Sequence, residues 1–446
     1  MRPKPEIIAA IATGSGRGGV GIVRVSGDNL ALLAKTILGS IPVPRHATFA
    51  SFLDADDQVI DQGLGLYFPA PHSYTGEDVL ELHGHGGMAV LHLVLQRCLE
   101  LGARIAEPGE FTKRAYLNNK LDLAQAESVA DLIEASTTQA ARSAVRSLQG
   151  EFSHAIHHLV EELIHLRILV EAMLDFPEEG VDSLDVSSRD KRLDDLLSEL
   201  EKILDLAQQG SLLREGAHIA LIGQPNVGKS SLLNSMSGEE VALVSEIPGT
   251  TRDVIRQSIQ IGGVPLHIID TAGLHDSADV IEQMGIARTR ETMQKSDAAL
   301  IIMDVSRGMD EKDREISDEL SPQIPRLYVF NKIDLLDLPA RIEQRDGSID
   351  IYLSAKTGAG LNLLQEKLLG LIGWHQQAGV FMARERHLLA LKKARDNLRR
   401  ATRETWRMEI FAEELRLAQE SLSSITGEFT ADDLLGEIFS HFCIGK

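Results

Sequence analysis

Residues 218–231 read His218-Ile219-Ala220-Leu221-Ile222-Gly223-Gln224-Pro225-Asn226-Val227-Gly228-Lys229-Ser230-Ser231. An apolar run ends in G-x-x-x-x-G-K-[ST], and a helical pattern follows. That is the strand, loop and helix order in which glycines let backbone N–H groups turn inward around a phosphate. Lys229 is expected to bridge the β- and γ-phosphates, and the Ser230 hydroxyl to hold Mg²⁺. Beyond it, short apolar strands (His267–Ile269, Ala298–Met303, Arg326–Phe330, Ile349–Leu353) alternate with polar helical segments to about Trp374. This is the rhythm of a parallel-sheet α/β domain.

Three further segments follow in guanine-nucleotide order, each at a strand end. Asp270-Thr271-Ala272-Gly273 offers a carboxylate toward Mg²⁺ and an amide toward the γ-phosphate. Asn331-Lys332-Ile333-Asp334 offers a carboxylate that accepts two hydrogen bonds from guanine, a pairing adenine lacks. Ser354-Ala355-Lys356 closes over the base. Each tetrapeptide alone is weak; together and in order they point to a guanine-nucleotide hydrolase. Gly249-Thr250-Thr251-Arg252-Asp253 lies where the first switch is placed, with Thr251 as second side-chain ligand of Mg²⁺. Leu274 stands where Ras-like enzymes carry a water-orienting Gln, so catalysis needs another group. Glu282 is the candidate, with positive charge from Arg252, Arg288, Arg290 or a monovalent cation at Asn226.

The rest of the 446 residues has two other textures. Residues 1–118 are Gly-rich, with β-like runs (Val20–Val25, Val79–Leu82) and one apolar helix pattern, Ala89–Leu101. Gly14-Ser15-Gly16-Arg17-Gly18-Gly19 matches G-x-G-x-x-G, but a strand follows instead of a helix, which argues against a dinucleotide fold. Residues 121–210 are helical, with an apolar stripe at Ile156, Leu159, Val160, Leu163, Leu166, Val170 and Leu174. Helix returns over Arg384–Ala401 and Phe411–Ile425. A helical texture interrupted by an α/β domain implies an insertion.

Net charge is −21, which argues against a protein that coats nucleic acid by charge alone. Acidity concentrates in 151–215, whereas 381–410 is basic. Two readings stay open: complementary helices of one bundle, or a basic face near Lys392 and Arg400 for a polyanion such as tRNA. Two cysteines exclude a disulfide framework, and no apolar stretch reaches membrane-spanning length, so a reduced cytoplasmic compartment is expected. Glu81, His83 and His85 alternate along a strand; hydrogen bonding or ligand contact is favoured there over a metal site. Cys443, between an apolar stretch and Lys446, is a candidate functional thiol.

GQPNVGKSSLLN, PGTTRD, DTAG, NKID, PHSYTGEDVLELHGHGG, LNNKLDLAQAE and the tail FCIGK together resemble the MnmE (TrmE) family of tRNA-modifying GTPases, over the whole chain. The resemblance implies a multidomain fold: an N-terminal α+β folate-binding domain (1–119), a discontinuous all-α helical domain (120–214 and 376–446) and an inserted P-loop GTPase α/β domain (215–375). It implies nucleotide contacts at Asn226, Val227, Gly228, Lys229, Ser230, Ser231, Ser245, Glu246, Ile247, Pro248, Gly249, Thr250 and Thr251. The set continues through Asp270, Thr271, Ala272, Gly273, Asn331, Lys332, Asp334, Ser354, Ala355 and Lys356.

The same resemblance implies K⁺ ligation by Asn226, Ser245, Ile247 and Thr250, hydrolysis by Glu282, and activation through transient G-domain dimerisation. It places tetrahydrofolate contacts on Arg24, Glu81, Lys120 and Lys446, and one-carbon handling on Cys443. It further implies a constitutive homodimer, and a partner, MnmG (GidA), that uses FAD and NADH. Together they would install an aminomethyl or carboxymethylaminomethyl group on the wobble uridine of certain tRNAs. A GTP-driven assembly or ribosome-associated switch that only binds RNA is the alternative; the N-terminal block and the tail weigh against it.

Overall fold

In the computed structural model the described residues are 6–14, 16–175, 183–237, 255–270, 293–318, 320–345, 348–427, 438, 439, 442, 443 and 445. They fall into two units, Met1–Ala130 with Leu148–Glu161 and Gln419–Lys446, and Asp131–Ser147 with Glu162–Ala418.

The first unit is organised by a six-stranded sheet. Its strands are β1 (Ile8–Ile11), β2 (Gly21–Gly27), β3 (Thr48–Leu53), β4 (Val59–Phe68), β5 (Asp78–Gly84) and β6 (Arg104–Ile105), in the order β3-β4-β5-β2-β1-β6. All pairs are antiparallel except β1 with β6. Alternation along β2 sends Val23 and Val25 into the core and leaves Ile22 and Arg24 on the other face. Helices α1 (Ala31–Leu38) and α2 (Met88–Glu100) contribute Leu33, Ile37, Leu91 and Val94 to that core. The helix α3 (Glu110–Leu117) follows, then α4 (Leu123–Glu134), and Phe439 and Phe442 pack against Leu123 and Ala126. The strand expected after Gly19 is β2.

Long helices come next: α5 (Thr138–Leu148), α6 (Glu151–Asp175) and α7 (Ser183–Glu215). Ile156, Leu159, Val160, Leu163, Leu166 and Val170 are all buried, as the stripe on α6 requires.

A seven-stranded sheet organises the second unit, in the order β12-β13-β11-β10-β7-β9-β8. Its strands are β7 (Ala217–Ile222), β8 (Ile255–Ile261), β9 (Val264–Asp270), β10 (Ala298–Asp304), β11 (Arg326–Asn331), β12 (Arg341–Arg345) and β13 (Ser348–Tyr352). The five central strands are parallel; β8 and β12 run antiparallel at the edges. β10 is buried on both faces, which is why it reads as a continuous apolar run. The helices α8 (Lys229–Ser237), α9 (Glu311–Asp318) and α10 (Leu361–Leu371) belong to this part of the chain, and α11 (Glu385–Ala401) and α12 (Met408–Thr426) follow it.

α7 and α11, on either side of the sheet in sequence, pack together, with Arg399 donating to Glu201 at 2.7 Å. Buried Asp131 joins the same two chain segments, accepting from Arg214 at 2.9 Å and Arg384 at 2.8 Å.

Candidate nucleotide site

Parallel strands present all their carboxyl ends at one edge, and the motif loops sit there. Gly223 follows β7, Asp270 ends β9, Asp304 ends β10, Asn331 ends β11, and Ser354 follows β13. The loop 223–228 is shaped by close approach. A Cβ on Gly228 would lie 2.4 Å from the Asn331 Nδ2, and its φ of 101° favours glycine in any case. Val227 is buried beneath the loop, while Asn226, Ser230 and Ser231 are exposed. The Lys229 ammonium donates to the carbonyl oxygens of Gly223 and, at 3.3 Å, of Gln224. This holds its charge at the loop, and the N-terminus of α8 opens beside it.

Asn331 ties three loops together. Its side chain is 2% exposed; Nδ2 donates to the Val227 carbonyl at 2.9 Å, and Oδ1 accepts from the amides of Lys332 at 2.8 Å and Ala355 at 2.9 Å. The Ser354 hydroxyl donates to Asp334 Oδ1 at 2.6 Å, which orients the carboxylate expected to read guanine. Ser235 on α8 donates to the Ala355 carbonyl, so the third loop is also fixed to the phosphate helix. Lys356 is exposed at the end of that loop.

One residue of the site has no signal in the motifs. Asp304 Oδ2 accepts from Lys332 Nζ at 2.8 Å, and the same ammonium donates to the Asn226 carbonyl at 2.7 Å. Burial works against the Asp304 anion, yet Lys332 and Ser306 outweigh it and bring its pKa down to about 2. A polar residue directly ending the apolar run 298–303 was the available sign. Gln224 is likewise fixed: its amide donates to both Asp310 oxygens at 2.8 Å and accepts from Arg307 at 3.1 Å.

Asp270 ends β9 opposite Leu221 of β7 in register, beside the loop. Ser245, Glu246, Ile247, Pro248, Gly249, Thr250, Thr251, Thr271, Ala272, Gly273, Glu282 and Lys446 lie outside the described residues.

In the first unit Arg24 and Glu81 are cross-strand neighbours on β2 and β5, and Arg24 Nε donates to Glu81 Oε1 at 2.9 Å. The guanidinium lies over the rings of Tyr74 at 5.5 Å and Phe111 at 5.8 Å. Burial lifts the Tyr74 phenol above its usual range, although its hydrogen bond to Thr112 opposes the shift. Lys120 donates to the Pro71 carbonyl at 3.2 Å, in the segment between β4 and β5 that also carries Tyr74. It also lines a cavity of about 440 Å³ with Tyr116, His157 and Thr426. The Cys443 carbonyl accepts from the Gly109 amide at 3.3 Å, and the residue is exposed. Glu81 bonds His83 at 3.1 Å, whereas His85 turns away to Asp61 at 2.8 Å; the described residues contain no metal-binding group of three or more such side chains. Nor is any described helix long and apolar enough to cross a membrane.

Two family models match the chain: the TrmE N-terminus over residues 7–120 and the MnmE helical domain over residues 123–443. Proteins named tRNA modification GTPase MnmE from Nitrosomonas eutropha and Nitrosomonas europaea are each 59% identical over 449 residues, covering 99% of both chains. The chain belongs to the MnmE (TrmE) family. A third such relative, from Chromobacterium violaceum, is 55% identical over 444 residues and 99% of each chain. Among solved structures, this MnmE-family chain is similar to an Aquifex aeolicus Era variant bound to GDP and AlF4⁻. The two are 23% identical with a TM-score of 0.28, over 41% of this chain and 66% of that one.

Proposed function

We propose that this chain hydrolyses GTP in the service of tRNA modification. With an FAD- and NADH-using partner, MnmG (GidA), it adds an aminomethyl or carboxymethylaminomethyl group to the wobble uridine of certain tRNAs. The one-carbon unit comes from a formyl- or methylene-tetrahydrofolate, and the protein works in the cytoplasm as a homodimer. The observation that carries the nucleotide part is Asn331 joining the phosphate loop, the base-reading loop and the Ser354–Lys356 loop at one sheet edge. Full-length identity to relatives named for tRNA modification supports the tRNA part.

In this reading the amides of 226–230 and the Lys229 ammonium hold the β- and γ-phosphates, Asp334 reads the guanine edge, and Ala355 and Lys356 cover the base. The exposed Ser230 hydroxyl, at the first turn of α8, is a hard oxygen donor suited to Mg²⁺, with Thr251 as the second side-chain ligand. When bound, that ion neutralises charge on the phosphate oxygens. Exposed Asn226 offers its amide oxygen toward K⁺, with Ser245, Ile247 and Thr250 completing the set as G domains dimerise. Glu282 orients the attacking water, since Leu274 cannot. Arg24, Glu81, Lys120 and Lys446 hold the folate, the carboxylate facing the pterin's amide-like edge and the cations its glutamate. Cys443 handles the one-carbon unit. The chain is laid out as 1–119 for folate binding and dimerisation, 120–214 and 376–446 for the helical domain, and 215–375 for the inserted G domain.

Steady-state GTP hydrolysis tests the nucleotide chemistry. Turnover is expected to be fast in K⁺ and slow in Na⁺, and Glu282→Ala should bind GTP yet barely hydrolyse it. Equal rates in the two salts would remove the cation, and near-normal turnover in Glu282→Ala would remove the glutamate.

A further inference from the structure

The turn between α11 and α12, residues 402–407, carries the most exposed tryptophan of the described chain. Trp406 is 70% exposed, whereas Trp374, the other tryptophan of the sequence, is 7% exposed. The guanidinium of Arg407 lies 4.2 Å over the Trp406 ring, and at that exposure the opposite face of the indole remains open.

The turn is rigidly built. Successive amides of Thr402, Arg403, Glu404 and Arg407 bond back to Leu398, Arg400, Ala401 and Glu404 carbonyls. From α7, buried Arg189 donates to the Thr405 carbonyl and to the Met408 sulfur, both at 3.1 Å, while lying over the Phe411 ring.

Charge says what would cover the ring. Residues 392–407 hold seven Lys or Arg against two acidic residues, in a chain of net charge −21. Part of that charge is spent internally, since Arg399 pairs with Glu201, Arg395 with Asp396, Arg400 with Glu414 and Arg407 with Glu404. Lys393 and Arg403 are exposed and have no ion-pair partner among the described residues. Lys393 lies on the exposed face of α11, and Arg403 and Trp406 follow in the turn beyond the helix end at Ala401. Cations along a track that ends in an open aromatic face match a phosphate backbone with an unpaired base at its end.

We infer that the 402–407 turn and the exposed face of α11 form an RNA-docking surface, on which an unpaired tRNA base stacks on Trp406 while Lys393 and Arg403 contact phosphates. This rests on the tRNA reading above and adds where on the chain the RNA lies.

The test is titration of the full chain with purified tRNA, read by intrinsic tryptophan fluorescence and by anisotropy of end-labelled tRNA. Wild type is expected to bind, with quenching and protection from acrylamide of its exposed tryptophan. Trp406→Ala should weaken binding roughly ten- to hundredfold. Trp406→Phe should restore most of the affinity without the fluorescence signal. Lys393→Gln with Arg403→Gln should lower the slope of log affinity against log salt by about one per charge removed. Thermal melting of each variant checks folding; these side chains are exposed, and unchanged melting is expected.

Wild-type binding with no quenching, and Trp406→Ala of unchanged affinity, would overturn the surface and leave the tRNA reading standing. No tRNA binding by wild type would overturn both. Unchanged tRNA affinity with loss of association to the FAD-dependent partner would reassign the turn to a protein interface.

Discussion

Replacing Asn331 with alanine should do more harm than the loss of a single nucleotide contact. The substitution removes three hydrogen bonds of 2.8–2.9 Å and leaves the Val227 carbonyl and the Lys332 and Ala355 amides without their partner. A buried bond is worth about 1 kcal/mol net, and a stranded buried group costs about 1–3 kcal/mol. Water entering the small cavity recovers part of this, so about 3 kcal/mol is the working figure for the three bonds. If the loops must be reassembled when nucleotide binds, that cost falls on affinity. At 1.4 kcal/mol per factor of ten it amounts to about a hundredfold.

Asn331→Asp should be no milder, because the amide that donates to Val227 becomes an oxygen facing an oxygen in a buried place. Equilibrium binding of a fluorescent GDP analogue, with denaturant unfolding followed in parallel, measures both effects. Affinity of Asn331→Ala within about threefold of wild type would refute the reasoning, since the loops would then hold their places without the side chain that joins them.

Two other outcomes follow from the packing and the buried charges. Gly210→Ala should lower the melting temperature, although alanine is the better helix former by about 1 kcal/mol. A Cβ at Gly210 of α7 would lie 1.8 Å from the Phe381 carbonyl oxygen, and overpacking of this kind costs about 1–3 kcal/mol or more; a raised melting temperature would contradict this. Glu110 supplies an acid-sensitive element. Burial opposes its charge, but Arg104, the Glu107 amide and Arg114 outweigh it and hold the pKa at about 2. With the folded value below the unfolded one, its stabilisation is complete above about pH 4.5 and is lost as pH falls toward 2. Glu110→Gln should therefore be less stable at neutral pH and show a flatter acid limb across that window; parallel limbs would exclude the carboxylate as the cause.

The nucleotide half of the fold was legible because buried parallel strands leave apolar runs, and every run but Ala298–Met303 ended in a motif. The N-terminal sheet was less so. β4 contains Gly63 and Gly65, which read as breaks. In the structure they are what lets the strands and α1 approach, since a Cβ at Gly63 would meet the His83 carbonyl at 2.0 Å and one at Gly65 the Leu38 side chain at 2.6 Å. β12, Arg-Ile-Glu-Gln-Arg, looks like a linker because an edge strand is kept charged against mispairing.

At the site, the motif residues were found by spacing, but their joinery was not. That Asn331 serves three loops, and that Asp304 anchors Lys332, are facts of tertiary contact that motif spacing does not carry. The basic stretch after Phe381 admitted two readings in sequence, and the contacts of α11 bear on the first of them. Arg399 is neutralised by Glu201 of α7, while Lys393 and Arg403 have no ion pair among the described residues.

The central claim is that GTP hydrolysis by this chain serves a chemical change on tRNA. The most direct measurement is nucleoside analysis of tRNA from cells lacking the chain, complemented by wild type or by Cys443→Ser. The account predicts that the aminomethyl and carboxymethylaminomethyl wobble uridines disappear, return with wild type, and stay absent with Cys443→Ser although its GTP hydrolysis is intact. Unaltered wobble uridines in the deletion would contradict the account as a whole, and full restoration by Cys443→Ser would remove the thiol from it.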